Sequence, residues 1–483
     1  MEPLSFPRQS ARTQRFTLGE PRSVTVSPDG KRVVFLRSAA GDDPVNCLWL
    51  FDTESGDERL IADPRVLLGD DDGDLPPEER ARRERAREGA GGVVAYATDT
   101  NVTVCSFALA GRLFVAGLIS GAARELPVDG PVFDPRPDPT ARRVAYVCGA
   151  TLRIGELDAT SWQLNGEADP DVTWGSADFV AAEEMDRQRG YWWAPDGSAI
   201  AVQRTDNSPV QTWHIADPAN PATVPTVHRY PAAGTPNAEV SLHVTSLDGG
   251  SVAVEWDRDT YPYLAKVSWP VQDRLLVTVQ SRDQRLLTVL AADPVSGATT
   301  LLFEDADDAW VELVPGVPAL TSGGALVMTA DRDGARRLLV DGAIVTPPEL
   351  QVRSVVSVAD ASITFIANDL ATPAEQHVWT ATLGDTDQGS DGGATCTPIT
   401  DEPGVHAAIT GGGTIVIRSA TLAEPGTSTT VHASEPESKP DSEVVHTLVS
   451  HAQIPSVVPR VSLRRVGTAD LPVAVLLPTT AQS

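Results

Sequence analysis

Residues 27–35 read SPDGKRVVF, and residues 194–202 read APDGSAIAV. Each is a turn followed by an apolar strand. Looser copies are DPTARRVAYV from Asp138, QDRLLVTVQ from Gln272, SGGALVMTA from Ser322, DASITFIAN from Asp360 and GGGTIVIRS from Gly411. Several copies lead to a second strand ending in aspartate: CLWLFD from Cys47, TLRIGELD from Thr151, VQTWHIAD from Val210 and RLLTVLAAD from Arg285. Such a pair makes a hairpin, and the aspartate opens the turn because its side chain can bond its own backbone. Four-stranded units recurring at roughly 40–50 residues mark a β-propeller, whose blades bury their faces against one another. The spacing is uneven, 78 residues from position 194 to 272 but 38 from 322 to 360. The expectation is an all-β chain, a seven- or eight-bladed β-propeller with short helical insertions. A β-sandwich fits the recurrence less well.

Composition supports that reading. Pro and Gly number 38 each in 483 residues, enough to break long helices, and 41% of the chain is hydrophobic, enough for a sizeable core. Lys and Arg number 38 against 66 Asp and Glu, a formal charge of −28. That balance repels phosphate backbones and anionic lipid, so neither a nucleic-acid nor a membrane partner is expected. No apolar run approaches the roughly 18 residues that span a bilayer. The N-terminal MEPLSFPRQSARTQRFTLGE lacks the apolar core of a secretion signal. Cys47, Cys105, Cys148 and Cys396 are dispersed without a C-x-x-C pair, which reads as buried reduced thiols in a cytoplasmic protein.

Two segments depart from the β pattern. After DDDGD (from Asp70) comes PPEERARRERAREGAGG, where Pro77 suits a first helical turn, Glu78 and Glu79 its positive end, and Gly89 a stop. With no apolar stripe beyond Ala81 and Ala86, this helix must rest on propensity and ion pairs. The second segment is ADFVAAEEMDRQRG, in which Asp178 can cap a helix and Phe179, Ala182 and Met185 share a face. The polar stretches 385–393 and 424–443 read as loops.

Candidate chemistry is sparse. A calcium loop with Gly73 at its sixth position would begin at Leu68, which cannot ligate, so DDDGD reads as a solvated turn and no metal or cofactor is expected. There is no G-x-S-x-G nucleophile elbow; QGSDG, ending at Gly392, has Gln388 where the first glycine belongs. No catalytic residue is therefore assigned. Glu183 and Glu184 are the informative pair. Adjacent carboxylates repel unless a cation lies between them, and a primary ammonium has three donors with which to satisfy both. A solvated acidic helix face is the competing reading. Against it stand the apolar anchors on both sides, Phe179 and Met185, then Tyr191, Trp192 and Trp193.

The stretch DVTWGSADFVAAEEMDRQRGYWWAPDGSAIAVQRTDNSPVQTWHI, from Asp171, resembles the propeller of the dipeptidyl peptidase IV family in the prolyl oligopeptidase clan. A Trp-bearing strand (Trp174), a Glu-Glu helix (Glu183, Glu184) and a Trp-Trp turn (Trp192, Trp193, then Asp196 and Gly197) come in the family's order. The registration continues through VHRYPAAGTPNAEVSLHV from Val227 and WVELVPGVP from Trp310. The resemblance implies that Glu183 and Glu184 grip the free α-amine of a peptide substrate, from which the family's serine peptidases release N-terminal dipeptides, typically Xaa-Pro or Xaa-Ala. It also implies an assisting arginine. RRERAREGAGGVVAY, from Arg82, resembles the arginine-bearing helix of cytosolic members, with Arg85 the choice and Arg83 and Arg87 its rivals; an ordinary exposed charged helix is the alternative. The family's α/β-hydrolase domain, which supplies Ser, Asp and His, is absent from these residues. LRRVGTADLPVAVLLPTTAQS, from Leu463, resembles its lead-in strand. The expected organisation is a propeller over 1–465 and a lead-in over 466–483, a truncated chain inactive by itself. Its expected partners are that hydrolase domain, a peptide with a free N-terminus and, for a family of this kind, a second copy in a homodimer. The competing function is a stand-alone propeller that binds protein or peptide without catalysis.

Overall fold

The computed structural model describes residues 4–69, 77–85, 88–158, 160–359, 361–384, 394–434, 443–468 and 470–478. Eight sheets, each built on four antiparallel strands, follow one another at residues 22–62, 97–126, 133–165, 172–253, 263–306, 319–344, 350–398 and 405–447; the first also takes Gly91–Gly92 in parallel on Val45–Asp52, and the fourth has its first strand in two pieces. Strand order within each sheet is the order in the chain. The propeller therefore has eight blades. First strands of adjacent blades touch one another, as Arg22–Val26 does Val405–Gly411 and Tyr191–Trp193 does Tyr263–Val271, so these strands form the inner ring around the channel.

The second strand of the first blade shows why the apolar runs are unbroken. Successive side chains of a strand point to opposite faces. Val33 and Phe35 pack on Val416 and Val431 of the eighth blade, while Val34 and Leu36 pack on Phe107 and Phe114 of the second. Both faces are interior, and all four residues are fully buried. The first of these contacts also closes the ring. Thr414 Oγ1 adds to it by donating to Gly30 O at 2.9 Å. Outside the blades, the helix Phe6–Arg12 ties the two ends of the chain together, with Gln9 Nε2 donating to Ile454 O at 3.0 Å and Ser456 N to Gln9 Oε1 at 2.8 Å.

The seven quoted repeats are the first-to-second-strand turns and second strands of every blade except the second. Gly30 (φ +72°) and Gly197 (φ +74°) take the left-handed turn position that favours glycine. In the second blade Val102 sits there at φ +54°, and Asp99 holds the turn by accepting from Asn101 N (3.1 Å), Thr103 N and Val104 N (both 2.7 Å).

Other expectations change. VQTWHIAD is not the third strand of the fourth blade. Thr212–Ile215 pairs with Thr226–Arg229 in a separate two-stranded arm, and Glu239–Ser246 takes the third position, which accounts for the long 194–272 spacing. The polar stretch 424–443 is not all loop, since Ser428–Ser434 is a blade strand with Val431 and Ala433 buried. Positions 70–74, 385–393 and 435–442 lie outside the described residues. All four cysteines are free thiols, but only Cys47 and Cys105 are buried; burial pushes the Cys47 thiol up to about 12. Arg460–Val466 and Leu471–Leu477 form a hairpin apart from the eight blades, with Leu463, Leu471 and Leu476 exposed. No helix among the described residues is long and apolar enough to cross a membrane.

Candidate functional site

The innermost strand of the fourth blade is cut in two. Val172–Trp174 and Tyr191–Trp193 both pair with Ala199–Asp206, the first opposite Asp206 to Arg204 and the second opposite Val202 to Ile200. Gln203 falls between them and holds both ends. Its N–H donates to Gly190 O at 2.8 Å, and its carbonyl accepts from Gly175 N at 3.0 Å. Ser176 and Arg189 bridge across the same neck. Residues 175–190 thus leave the sheet and return without a register change, and they rise from the wall of the channel. The neck is tight: a Cβ on Gly190 would lie 2.4 Å from the Ser176 carbonyl carbon.

The insertion carries the helix Phe179–Glu184, capped as expected by Asp178, whose Oδ1 accepts from Ala181 N at 3.1 Å. Six residues cannot hold a helix by propensity alone. A buried ion pair pins this one. Asp178 Oδ2 accepts from Arg187 Nη2 at 3.3 Å and from Gln203 Nε2 at 3.2 Å. Arg187 also donates to Arg189 O at 2.7 Å and to Leu264 O of the fifth blade at 2.9 Å. Burial pulls the Arg187 pKa down, against the charge of Asp178. At the far end Gln188 Nε2 donates to Ala182 O at 2.8 Å. The underside, Ala181 and Met185, packs on Ala265. The expected face is corrected in one member: Ala181 and Ala182 are buried, but Phe179 leans edge-on against Tyr230 at the foot of the arm, 5.3 Å between centroids.

Glu183 and Glu184 end the helix and are both exposed. The sequence pattern placed the pair on a helix, and the strand register adds where that helix stands. Two carboxylates held at the channel wall can share the three donors of a primary ammonium through charge-assisted bonds.

The arginine-bearing segment is a helix over Pro77–Arg85, and ion pairs support it as expected. Glu79, buried, accepts from Arg82 Nε and Nη2 at 2.8 and 2.7 Å and from Arg83 Nε at 2.7 Å. Burial raises the Glu79 carboxyl, but these bonds and charges outweigh it and hold the pKa below the ordinary value. Arg83 is thereby engaged. Arg85 is the last helical residue; its side chain, and the whole of Arg87, lie outside the described residues. Glu79 and Arg82 line a cavity of about 50 Å³ with Tyr96, Phe133, Asp134 and Arg136, on the inner strands of the second and third blades. Asp134 pairs with Arg136 at 2.8 Å and also acts electrostatically on Arg82 and on Arg189. The two helices' surroundings therefore meet at Asp134. Arg136, Arg187 and Arg189 were not singled out in the sequence, because nothing in local periodicity marks them; only the strand register does. Among the described residues no group of three or more His, Cys, Asp or Glu gathers to hold a metal ion.

The family model described as the dipeptidyl peptidase IV (DPP IV) N-terminal region matches residues 96–422. The chain is 25% identical over 197 residues to dipeptidyl-aminopeptidase B of Aspergillus niger, covering 36% of this chain and 22% of that protein. It is also 25% identical over 179 residues to inactive dipeptidyl peptidase 10 of Rattus norvegicus, covering 35% and 22%. The matched stretch thus spans less than a quarter of the length of each of these two relatives. In the crystal structure of Porphyromonas gingivalis dipeptidyl peptidase 4, a similar fold covers 99% of this chain and 67% of that one, with TM-score 0.72 and 17% identity.

Proposed function

Because the chain belongs to the family of dipeptidyl peptidase IV N-terminal regions, we propose that it is the substrate-gating propeller of a serine exopeptidase that releases N-terminal dipeptides. In this reading Glu183 and Glu184 hold the α-ammonium of a peptide in the channel. That anchor sets how far the scissile bond lies from the N-terminus. An α/β-hydrolase domain supplies the nucleophile, base and orienting acid, and Arg85 assists the glutamates. The observation that carries the proposal is the rigid presentation of two exposed carboxylates on a helix inserted into the innermost strand. A solvated acidic face would need neither the buried Asp178–Arg187 pin nor the Gly190 neck.

A second reading is a peptide-binding propeller without catalysis. The relative named as inactive shows that similarity of this kind extends to proteins without activity. Joining this propeller to a compatible hydrolase domain decides between the two. The proposal predicts dipeptide release from Xaa-Pro substrates. It also predicts that Glu183→Gln lowers kcat/KM by roughly a hundredfold, since breaking a desolvated charge pair costs on the order of 3 kcal/mol. Release from no substrate, with peptide binding retained, favours the second reading.

A further inference from the structure

The neck of the insertion carries a guanidinium that the ammonium clamp does not use. Arg189 Nε donates to Tyr191 O at 2.6 Å. Its terminal nitrogens have no acceptor among the described residues and are not among the fully buried unpaired atoms, so they keep some access to solvent on a half-buried residue. The group is held in place by the Ser176 bridge at its backbone and by the ring of Trp192, 5.6 Å from its Cζ. The charges that act on it are Arg136, of like sign, and Asp134, a carboxylate already engaged by Arg136 at 2.8 Å. Burial, and then the charge of Arg136, pull the Arg189 pKa down to about 9. A bound anion would relieve both.

Position says which anion. Glu184 ends the helix, and the chain is back at the neck by residue 189. Five residue steps reach at most about 17 Å even fully extended. Here the return is folded, since Gln188 bonds back to Ala182 O. A carboxylate meeting Arg189 while its own ammonium sits on Glu183 and Glu184 must belong to the first residues of the peptide.

We infer that Arg189, backed by Arg136, is an anion subsite beside the glutamate pair that selects peptides whose first residue is Asp or Glu. This rests on the proposed ammonium clamp. The guanidinium fork suits a carboxylate, which a lysine would meet only as a point charge.

The test titrates the 483-residue chain with Glu-Pro-Leu amide and Gln-Pro-Leu amide by calorimetry, each also with an acetylated N-terminus. The two free peptides differ by one charge. The expected result is about tenfold tighter binding of the glutamate peptide, a preference that shrinks at high salt. Arg189→Gln should remove the preference and leave the glutamine peptide within about twofold, while Arg189→Lys retains part of it. Equal affinity of the two free peptides, with acetylation still abolishing binding, overturns the subsite and leaves the clamp standing. Indifference to acetylation overturns the clamp, and the subsite with it. If a variant fails to fold, the parent's glutamate-to-glutamine ratio and its salt dependence still decide.

Discussion

Two buried cations show how single residues set the site. Arg187 is pinned between Asp178, Arg189 O and Leu264 O, with both members of the ion pair over nine-tenths buried. Removing one partner of such a pair strands the other charge. Asp178→Ala should therefore cost about 3 kcal/mol by denaturant unfolding, more than the roughly 1 kcal/mol of a lost helix cap. A loss near 1 kcal/mol would mean that Arg187 is satisfied without Asp178. Lys266, next to Ala265 under the acidic helix, donates to Val317 O at 3.0 Å and to Val314 O, and burial lowers its pKa to about 8. The sign follows from proton counting. Below pH 8 both the native and unfolded states hold the proton, and the full penalty applies. Between about 8 and the ordinary 10.5 the native state has released it while the unfolded state keeps it, so stability rises with pH. The parent should gain up to about 3 kcal/mol over that window relative to Lys266→Met. Parallel pH profiles for the two proteins would contradict this.

Among the elements, the split strand is what makes a site of an acidic helix. Gly190→Ala places a Cβ against the Ser176 and Gly175 backbone, which cannot yield as a side chain would. It should destabilise the protein by at least about 2 kcal/mol and loosen the insertion, with peptide binding lost more steeply than stability. Normal binding by a folded Gly190→Ala protein would show that the neck does not position the glutamates. The same elements mark how far the sequence can be read. The second strands were legible because a Pro-Asp-Gly turn or a loose copy precedes them. The second blade was not, because its turn, Asp99 to Val102, has neither the proline nor the glycine of that motif; Asp99 holds it by side-chain bonds, as Asp138 does in the third blade, where Pro139 still marks the turn. The glutamate pair and its Asp178 cap were legible from local chemistry. The interruption was not, since Val172–Trp174 and Tyr191–Trp193 look like separate strands until both register on Ala199–Asp206. The arm was mistaken for a blade strand because VQTWHIAD has the alternation of one, and only pairing distinguishes them.

Across the whole molecule, every blade depends on two neighbours, so the contact between first and last blades decides whether the ring holds. There the turn of residues 27–30 meets that of residues 411–413. Gly412, at φ +53°, leaves no room for a side chain, since a Cβ would lie 2.3 Å from Gly30 N. Gly412→Ala should cost at least about 2 kcal/mol and raise hydrogen exchange in the first and eighth blades before the others. Uniform exchange around the ring would mean that closure is not the weak point. A closed ring gives the insertion a fixed wall, and in the proposed function its two glutamates receive a peptide's α-ammonium there. The direct measurement is calorimetric titration of the 483-residue chain with Ala-Pro-Leu amide and its N-acetyl form, alongside the Glu183→Gln, Glu184→Gln double variant. Acetylation and the double substitution should each weaken binding at least about thirtyfold, and acetylation should have no further effect on the variant. Equal affinity for the free and acetylated peptides would contradict it.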